Sequence, residues 1–366
     1  MLKNKTIAVV VPAYNEENQI QEVINSMPDF VDRIVIVNDK SKDKTASIVE
    51  EIIKKSPKSK FVFSGGQNVK RNRYNYADTV VVQMRKDEEK YYISHKIANK
   101  NPEKDRIILI NNLENGGVGA SIANGYKWCR DHKINCTAVM AGDGQMDPAE
   151  LEGICMPVIE NKVDYVKGNR LSHRSAFFVV PRIRFFGNSV LSLMTKIASG
   201  YWHVSDTQTG YTAISLQALE GIRLHRIYRS YGMPNDILVK LNIAFFSVAE
   251  VPIKPIYNVG EKSKMKIFKV IPRISLLLFF SFWKRLYVKY LLRDFHPLFL
   301  LYHMAFIILL INVPFLWQVI RSLAPGHFLP DQSLIIFVFL TISGFQALFF
   351  AMWMDMMDNE RLQVKA

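Results

Sequence analysis

Four short apolar runs, each closed by a turn and followed by a helical pattern, constrain this chain more than any other feature. Residues 6–11 (TIAVVV), 33–37 (RIVIV), 106–111 (RIILIN) and 137–140 (TAVM) are rich in β-branched side chains. Continuous apolar runs of this length suit strands buried on both faces, as in a parallel sheet. After the first run, Ile20, Val23 and Ile24 recur at helical spacing. After the second, Ile48, Val49 and Ile52 do the same. Strand, helix, strand and helix in that order imply an α/β fold around a mainly parallel sheet. Open sheets of this kind take ligands outside the carboxyl ends of their strands, so the turns after the runs are the places to look for chemistry.

The fourth run ends in Met140-Ala141-Gly142-Asp143-Gly144-Gln145-Met146-Asp147-Pro148. Asp143 and Gln145 offer a carboxylate and a carboxamide oxygen two residues apart. This pair suits Mg²⁺ or Mn²⁺ carrying a diphosphate. It also suits an Asp-Gly turn with no metal. Pro148 fits the first turn of a new helix. The first run ends in Pro12-Ala13-Tyr14-Asn15-Glu16-Glu17 and the second in Asn38-Asp39-Lys40-Ser41-Lys42-Asp43. Asp39 can accept bonds from a base or ribose, or it can serve the next helix as a cap. Ser41 and Asp43 are further cap candidates. Past the third run, Asn115-Gly116-Gly117-Val118-Gly119 opens a helix, and glycines there let backbone N–H groups approach an anion.

The formal charge of +14 points to a phosphate-bearing, nucleic-acid or anionic-membrane partner. The one compact basic cluster, Lys70-Arg71-Asn72-Arg73, is too short and isolated to support nucleic acid. Cys129, Cys136 and Cys155 form no metal-binding or disulfide pattern, which fits a reducing compartment. Residues 1–5 lead straight into the first run with no apolar signal segment.

From Ile267 the composition changes. Residues 275–283 (SLLLFFSFW) are too short to span a bilayer and lie among Lys266, Lys269, Arg273, Lys284, Arg285, Lys289 and Arg293, a pattern of interfacial helices on an anionic leaflet. Residues 298–320 and 333–353 are nearly uncharged and long enough to cross, with Pro314 as a potential kink. The connection between them holds one Lys or Arg, and both outer flanks hold more. The positive-inside rule therefore places the N-terminal α/β domain and the C-terminal end in the cytoplasm.

VVVPAYNEE, VNDKSKDKT and GDGQMDP, in this order, resemble the family-2 inverting glycosyltransferases of GT-A fold, in particular the polyprenyl-phosphate branch typified by dolichyl-phosphate mannosyltransferase. The resemblance covers roughly residues 5 to 265. It implies a nucleotide-sugar donor, UDP- or GDP-linked, and inversion during transfer to polyprenyl phosphate. It places Pro12, Ala13, Tyr14, Glu16, Asp39 and Gly119 at the nucleotide and a divalent cation (Mg²⁺ or Mn²⁺) on Asp143 and Gln145. The family's usual Asp-x-Asp begins here with Ala141.

Lys167-Gly168-Asn169-Arg170 resembles the family's Gly-x-Arg, and Asp206-Thr207-Gln208-Thr209-Gly210-Tyr211 its D-x-x-x-G-aromatic segment. Asp236 matches its acidic residue, though it also suits a helix N-terminal charge. Catalytic roles thus fall on Asp143, Arg170 and Asp236. Acceptor-phosphate contacts fall on Arg170, Arg184 and the Lys262-Ser263-Lys264 segment, although any single arginine also suits a solvated surface.

The expected layout is a catalytic domain over residues 1–265, interfacial helices over 266–296, two membrane spans over 297–354 and a cytoplasmic tail over 355–366. Residues 61–105 form an insertion, with a strand expected over 79–84, emerging at the sheet edge opposite the active site as a structural or oligomerising appendage. Two other readings stand beside this one. One is transfer to a hydroxyl acceptor, a glycolipid or a glycan. The other is a non-catalytic membrane scaffold, suggested by Ala141. No Q-x-x-R-W follows Asp236, which disfavours a processive synthase.

Overall fold

The apolar runs pair as their composition implies. The computed structural model describes residues 1–59, 72–180, 182–257, 267–324 and 328–364, without the side chains of residues 182–184 and 267–269. Its strands are β1 (Ile7–Ala13), β2 (Arg33–Asn38), β3 (His95–Ile97), β4 (Ile107–Asn112), β5 (Cys136–Val139), β6 (Tyr165–Asn169), β7 (Thr212–Ser215) and β8 (Val248–Pro252). They form one sheet in the order β3-β4-β2-β1-β5-β7-β6-β8. The neighbours from β4 to β5 are parallel, as are β6 and β8; β3 and β7 run antiparallel to their partners.

The helices are α1 (Ile20–Asn25), α2 (Thr45–Lys55), α3 (Tyr76–Glu88), α4 (Val118–Asp131), α5 (Leu151–Ile159), α6 (Ala176–Val179), α7 (Arg182–Ser199), α8 (Leu216–Gly221), α9 (Met233–Ile243), α10 (Ile267–Tyr287), α11 (Leu298–Ser322) and α12 (Asp331–Glu360). Side chains alternate across the sheet. Val9, Ile34 and Leu109 face Ile24, Val49 and Ile154 of α1, α2 and α5. Val10, Val35 and Ile108 face Ile122, Tyr126 and Leu238 of α4 and α9. The central strands are therefore covered on both sides.

The insertion departs from its sequence reading in two ways. Residues 79–84 lie within helix α3, not a strand. Val80, Val81 and Val82 are all exposed, so no sheet face rewards their β propensity. The helix is held instead by Arg85–Glu220 and Glu88–His225 contacts at 3.5 and 3.4 Å. The insertion does leave and return at the amino ends of the strands, through a Lys58–Asp105 bridge. Between those points it climbs the sheet edge, because β3 pairs antiparallel with β4. Ser94 O accepts from Leu113 N (2.8 Å) at the carboxyl end, the same end as the site.

A third apolar cluster lies outside the sheet layers. Leu191 and Ala198 of α7 pack with Ile274, Leu278 and Phe282 of α10, Leu298 and Tyr302 of α11, and Ala351 of α12. A π-helical turn, Val288–Arg293, closes α10. Helices α11 and α12, of 25 and 30 residues, are long and apolar enough to cross a membrane. They are joined by an Asn312 Nδ2 to Thr341 Oγ1 bond of 2.8 Å.

Both outer ends of this helical hairpin meet the α/β domain. Arg285 donates to both oxygens of Asp355 (2.7 and 2.8 Å) and to Ala198 O (2.9 Å). Lys289 and Asn242 both donate to Asn359 Oδ1 (2.6 and 2.7 Å). Residues 355–364, read from sequence as a tail, are the end of α12 and a docked edge contact. Val248 N donates to Leu362 O (2.8 Å), and Val364 N donates back to Val248 O (3.0 Å).

Candidate active site

One cavity of about 630 Å³ opens at the carboxyl ends of β1, β2, β5 and β6. Pro12, Ala13, Tyr14 and Glu16 line one end with Asp39. Asp143, Gln145 and Arg170 line its middle. Eight residues singled out from the sequence therefore converge on one space. Beyond Arg170 the wall turns apolar, with Leu191 from α7 and Val270, Ile271 and Ile274 from α10.

At the nucleotide end the loops after β1 and β2 are stitched together. Asn15 stands at φ 55°, a left-handed conformation that asparagine tolerates. Its N–H donates to Ser41 Oγ (3.0 Å), and its Oδ1 accepts from Lys42 N (2.8 Å). Glu16 N donates to Thr45 Oγ1 (2.9 Å) and Glu17 N to Asp43 Oδ2 (3.1 Å). Ser41 and Asp43 thus brace the first loop; Asp43 also accepts from Thr45 N at the start of α2.

Asp39 is buried and faces the glycine turn. Oδ1 accepts from Asn112 Nδ2 and Gly116 N (both 2.9 Å), and Oδ2 from Gly117 N (2.8 Å). The anion that the glycine N–H groups meet is therefore Asp39. Gly117 has φ +84° and lies so close to Arg229 O that a Cβ would come within 2.6 Å. Gly119 sits away from the cavity. Its N–H donates to Arg229 O (2.9 Å), and Gly117 and Val118 take its expected place in the lining.

In the turn after β5, Asp143 Oδ1 accepts from Gln145 N (3.1 Å), and Gly142 N donates to Pro12 O (3.3 Å). Asp147 accepts from Ala149 N (2.9 Å) and starts the next helical turn. Met146 Sδ accepts from Ala141 N (3.2 Å), so the thioether braces the backbone of the residue that stands where the family carries a carboxylate. Asp143 and Gln145 supply hard oxygen donors on one wall. That chemistry fits Mg²⁺ or Mn²⁺ whose shell is completed by diphosphate and water. Among the described residues no cluster of three or more His, Cys, Asp or Glu forms a metal site without such help.

Arg170 is held by a two-pronged bond to Asp206, Nε to Oδ2 at 2.8 Å and Nη2 to Oδ1 at 3.0 Å. Among the described residues nothing takes its Nη1. Burial alone would raise the Asp206 carboxyl, but the Arg170 charge and hydrogen bonds outweigh it and hold the carboxyl below its ordinary range. Glu250 supports the loop from behind, accepting from Ser205 N (2.8 Å) and Asp206 N (2.9 Å). Lys167, wholly buried beneath, donates to Thr209 O (2.7 Å). Burial lowers its ammonium to about 8 against the pull of Asp206 and Glu250.

Asp236 does not reach the cavity. It pairs with Lys240 and accepts from Tyr228 N (2.8 Å). That bond fixes the segment whose Ser230 and Tyr231 do line the cavity. The Arg184 side chain and residues Lys262, Ser263 and Lys264 lie outside the described residues.

A sequence model of glycosyl transferase family 2 matches residues 8–78 and 86–223. The chain belongs to glycosyl transferase family 2. A UDP-N-acetylglucosamine–dolichyl-phosphate N-acetylglucosaminyltransferase of Methanococcus voltae is 27% identical over 75% of this chain and 97% of its own length. A dolichyl-phosphate beta-glucosyltransferase of Trichomonas vaginalis is 25% identical over 70% of this chain and 65% of its own. Among solved structures, UDP-bound glucosyl-3-phosphoglycerate synthase from Mycobacterium tuberculosis superposes with a TM-score of 0.45 at 14% identity, over 77% of this chain and 80% of that one.

Family 2 membership makes the protein a glycosyltransferase with a GT-A α/β fold, which removes the scaffold reading. Between the two matched stretches lie residues 79–85, within α3. The family motifs located Asp39, Asp143 and Arg170 but gave no site role to Gln208, which lines the cavity. Gln208 Nε2 donates to Thr207 Oγ1 and Asn235 Oδ1 (both 2.9 Å), turning its oxygen away from those partners. The motif around Asp206 was the available signal. Nothing in the sequence linked Lys167 or Glu250 to it.

Proposed function

We propose that this family 2 enzyme transfers a sugar from a uridine diphosphate sugar to the phosphate of a membrane polyprenol, with inversion. The observation that carries the reading is the continuity of the cavity. It runs from the nucleotide loops through Arg170 to an apolar wall built by α7 and α10, beside two helices long enough to cross a bilayer. The dolichyl-phosphate relatives support the acceptor class, and the first of them supports uridine in the donor.

The acceptor phosphate is anionic near neutral pH and needs little general-base help. One of its oxygens attacks the anomeric carbon as the bond to the diphosphate oxygen breaks. Asp39 and the braced loops orient the nucleoside. Asp143 and Gln145 would hold a divalent cation, which when bound offsets charge on the departing diphosphate. Arg170, fixed on one side by Asp206, directs Nη1 toward the acceptor phosphate. The apolar wall excludes water from the reacting centre. In this reading α11 and α12 cross the membrane as a hairpin with the catalytic domain and residues 355–364 on the cytoplasmic side.

The full chain in lipid nanodiscs, given UDP-N-acetylglucosamine, UDP-glucose and GDP-mannose with polyprenyl phosphate or polyprenol, tests this. Mass spectrometry should find a glycosyl phosphoryl polyprenol made from a UDP-sugar. Equal use of the free alcohol would replace the phosphate acceptor with a hydroxyl one.

A further inference from the structure

Helices α6 and α7 belong by sequence to the catalytic domain, yet they expose a surface that a water-facing helix would not. Phe177 and Phe178 of α6 are 64% and 86% exposed, and Phe186 of α7 is 73% exposed. Val190 and Leu193 continue the α7 stripe at spacings of four and three residues, the period of one helix face. The opposite face of α7 is occupied. Leu191 and Ala198 pack with α10, α11 and α12, and Ser192 and Thr195 bond inward to Thr207 Oγ1 and Asn235 Oδ1. Adjacent α10 repeats the pattern, with Leu276, Phe279 and Phe280 exposed and Ile274, Leu278 and Phe282 buried. One apolar core thus joins α7 to the membrane hairpin, and two neighbouring helices turn aromatic stripes outward. Between them lies the apolar part of the cavity wall, lined by Leu191 of α7 and Ile274 of α10.

We propose that α6 and α7 form a second membrane-inserted wedge, buried in the acyl region of the leaflet nearest the catalytic domain. The wedge and α10 would flank a lateral entrance through which a lipid acceptor reaches Arg170. The occupant is lipid, not a protein partner, because the surface is continuous through the shared core with helices long enough to cross a bilayer. Arg174 beside α6 and Arg273 and Lys284 on α10 are exposed, and cations there suit an anionic leaflet. The composition change at Ile267 points only to α10 and its flanks as the membrane face; the exposed aromatics widen it to a segment preceding β7. The proposal rests on the reading of α11 and α12 as spans.

Spin labels test it in the full chain reconstituted in bilayers, where the native thiols are buried. Labels are placed at Phe178→Cys and Phe186→Cys, with Leu310→Cys in α11 as the membrane reference and Tyr74→Cys as the aqueous one. Collision with oxygen should exceed collision with a water-soluble nickel chelate at 178 and 186, as at 310, and the reverse should hold at 74. Labels at 178 and 186 that behave like 74 overturn the wedge while leaving the spans intact. Shielding from both reagents also overturns it, because protein would then cover the face. If 310 itself is aqueous, the membrane reading fails first. In turnover, Phe178→Asp with Phe186→Asp should lower use of a long-chain acceptor about tenfold and spare a short water-soluble one. Equal loss on both acceptors would count against the wedge.

Discussion

The two ends of the cavity are stiffened by different means. At the nucleotide end, short polar side chains bond to backbone N–H groups of neighbouring loops, as Asp39 does with Gly116 and Gly117 and Ser41 with Asn15. From the middle of the cavity toward the long apolar helices, charged side chains meet other charged side chains: Arg170 with Asp206 in the cavity wall, and Arg285 with Asp355 where α10 meets α12. Loops pinned through their own backbone keep a fixed shape around a rigid nucleoside. Buried ion pairs tie separate helices and strands together, and their strength depends on both partners being present. The first arrangement shapes a pocket; the second couples the two long apolar helices to the α/β domain.

The largest test removes one partner where α10 meets α12. Arg285→Met leaves Asp355 buried and unpaired and should cost about 3–5 kcal/mol of unfolding free energy in detergent. Arg285→Met with Asp355→Leu should recover most of that loss. A double variant as weak as the single one would mean the pair is not the coupling.

Next comes Lys167. Its ammonium is lowered to about 8 from 10.5, so the unfolded chain keeps the proton between those values while the folded chain has released it. Stability of the wild type relative to Lys167→Met should therefore rise with pH from about 8 to about 10.5, by up to about 3 kcal/mol. A flat difference in urea unfolding across that window would show that the lysine is not charged at a cost.

The smallest effect belongs to the nucleotide end. Asp39→Asn keeps the shape but weakens charge-assisted bonds to two glycine N–H groups, and should cost about 1–3 kcal/mol of UDP affinity by titration calorimetry. A loss confined to stability, with UDP affinity unchanged, would make Asp39 a loop brace only.

This contrast also explains what could be read from the chain. The nucleotide end is written in contiguous stretches, because each loop carries its own brace and its own strand. Pro12 to Glu16, Asp39, Asp143 and Gln145 could all be found that way. The supports behind Arg170 and the docking of α12 are assembled from positions far apart: Lys167 with Thr209, Asp206 with Glu250, Asn242 with Asn359. No local pattern announces such pairs. Asp236 was misplaced for a related reason. Its carboxylate pairs with Lys240, one turn on, and stays out of the cavity lining. Residues 79–84 suggest a strand, where helix α3 forms, because three valines in a row carry β propensity that only a sheet partner could realise.

The return of residues 362–364 to β8 has a consequence for how the protein is made. Ribosomes deliver the sheet early and this edge contact only after both apolar helices have emerged. The outer strand stays open through most of synthesis, and unpaired strand edges invite pairing with other chains. Newly made protein stalled before residues 362–364 dock should therefore be the form that aggregates or is degraded, and the contact at Val248 covers that end of the edge only once the hairpin has folded back.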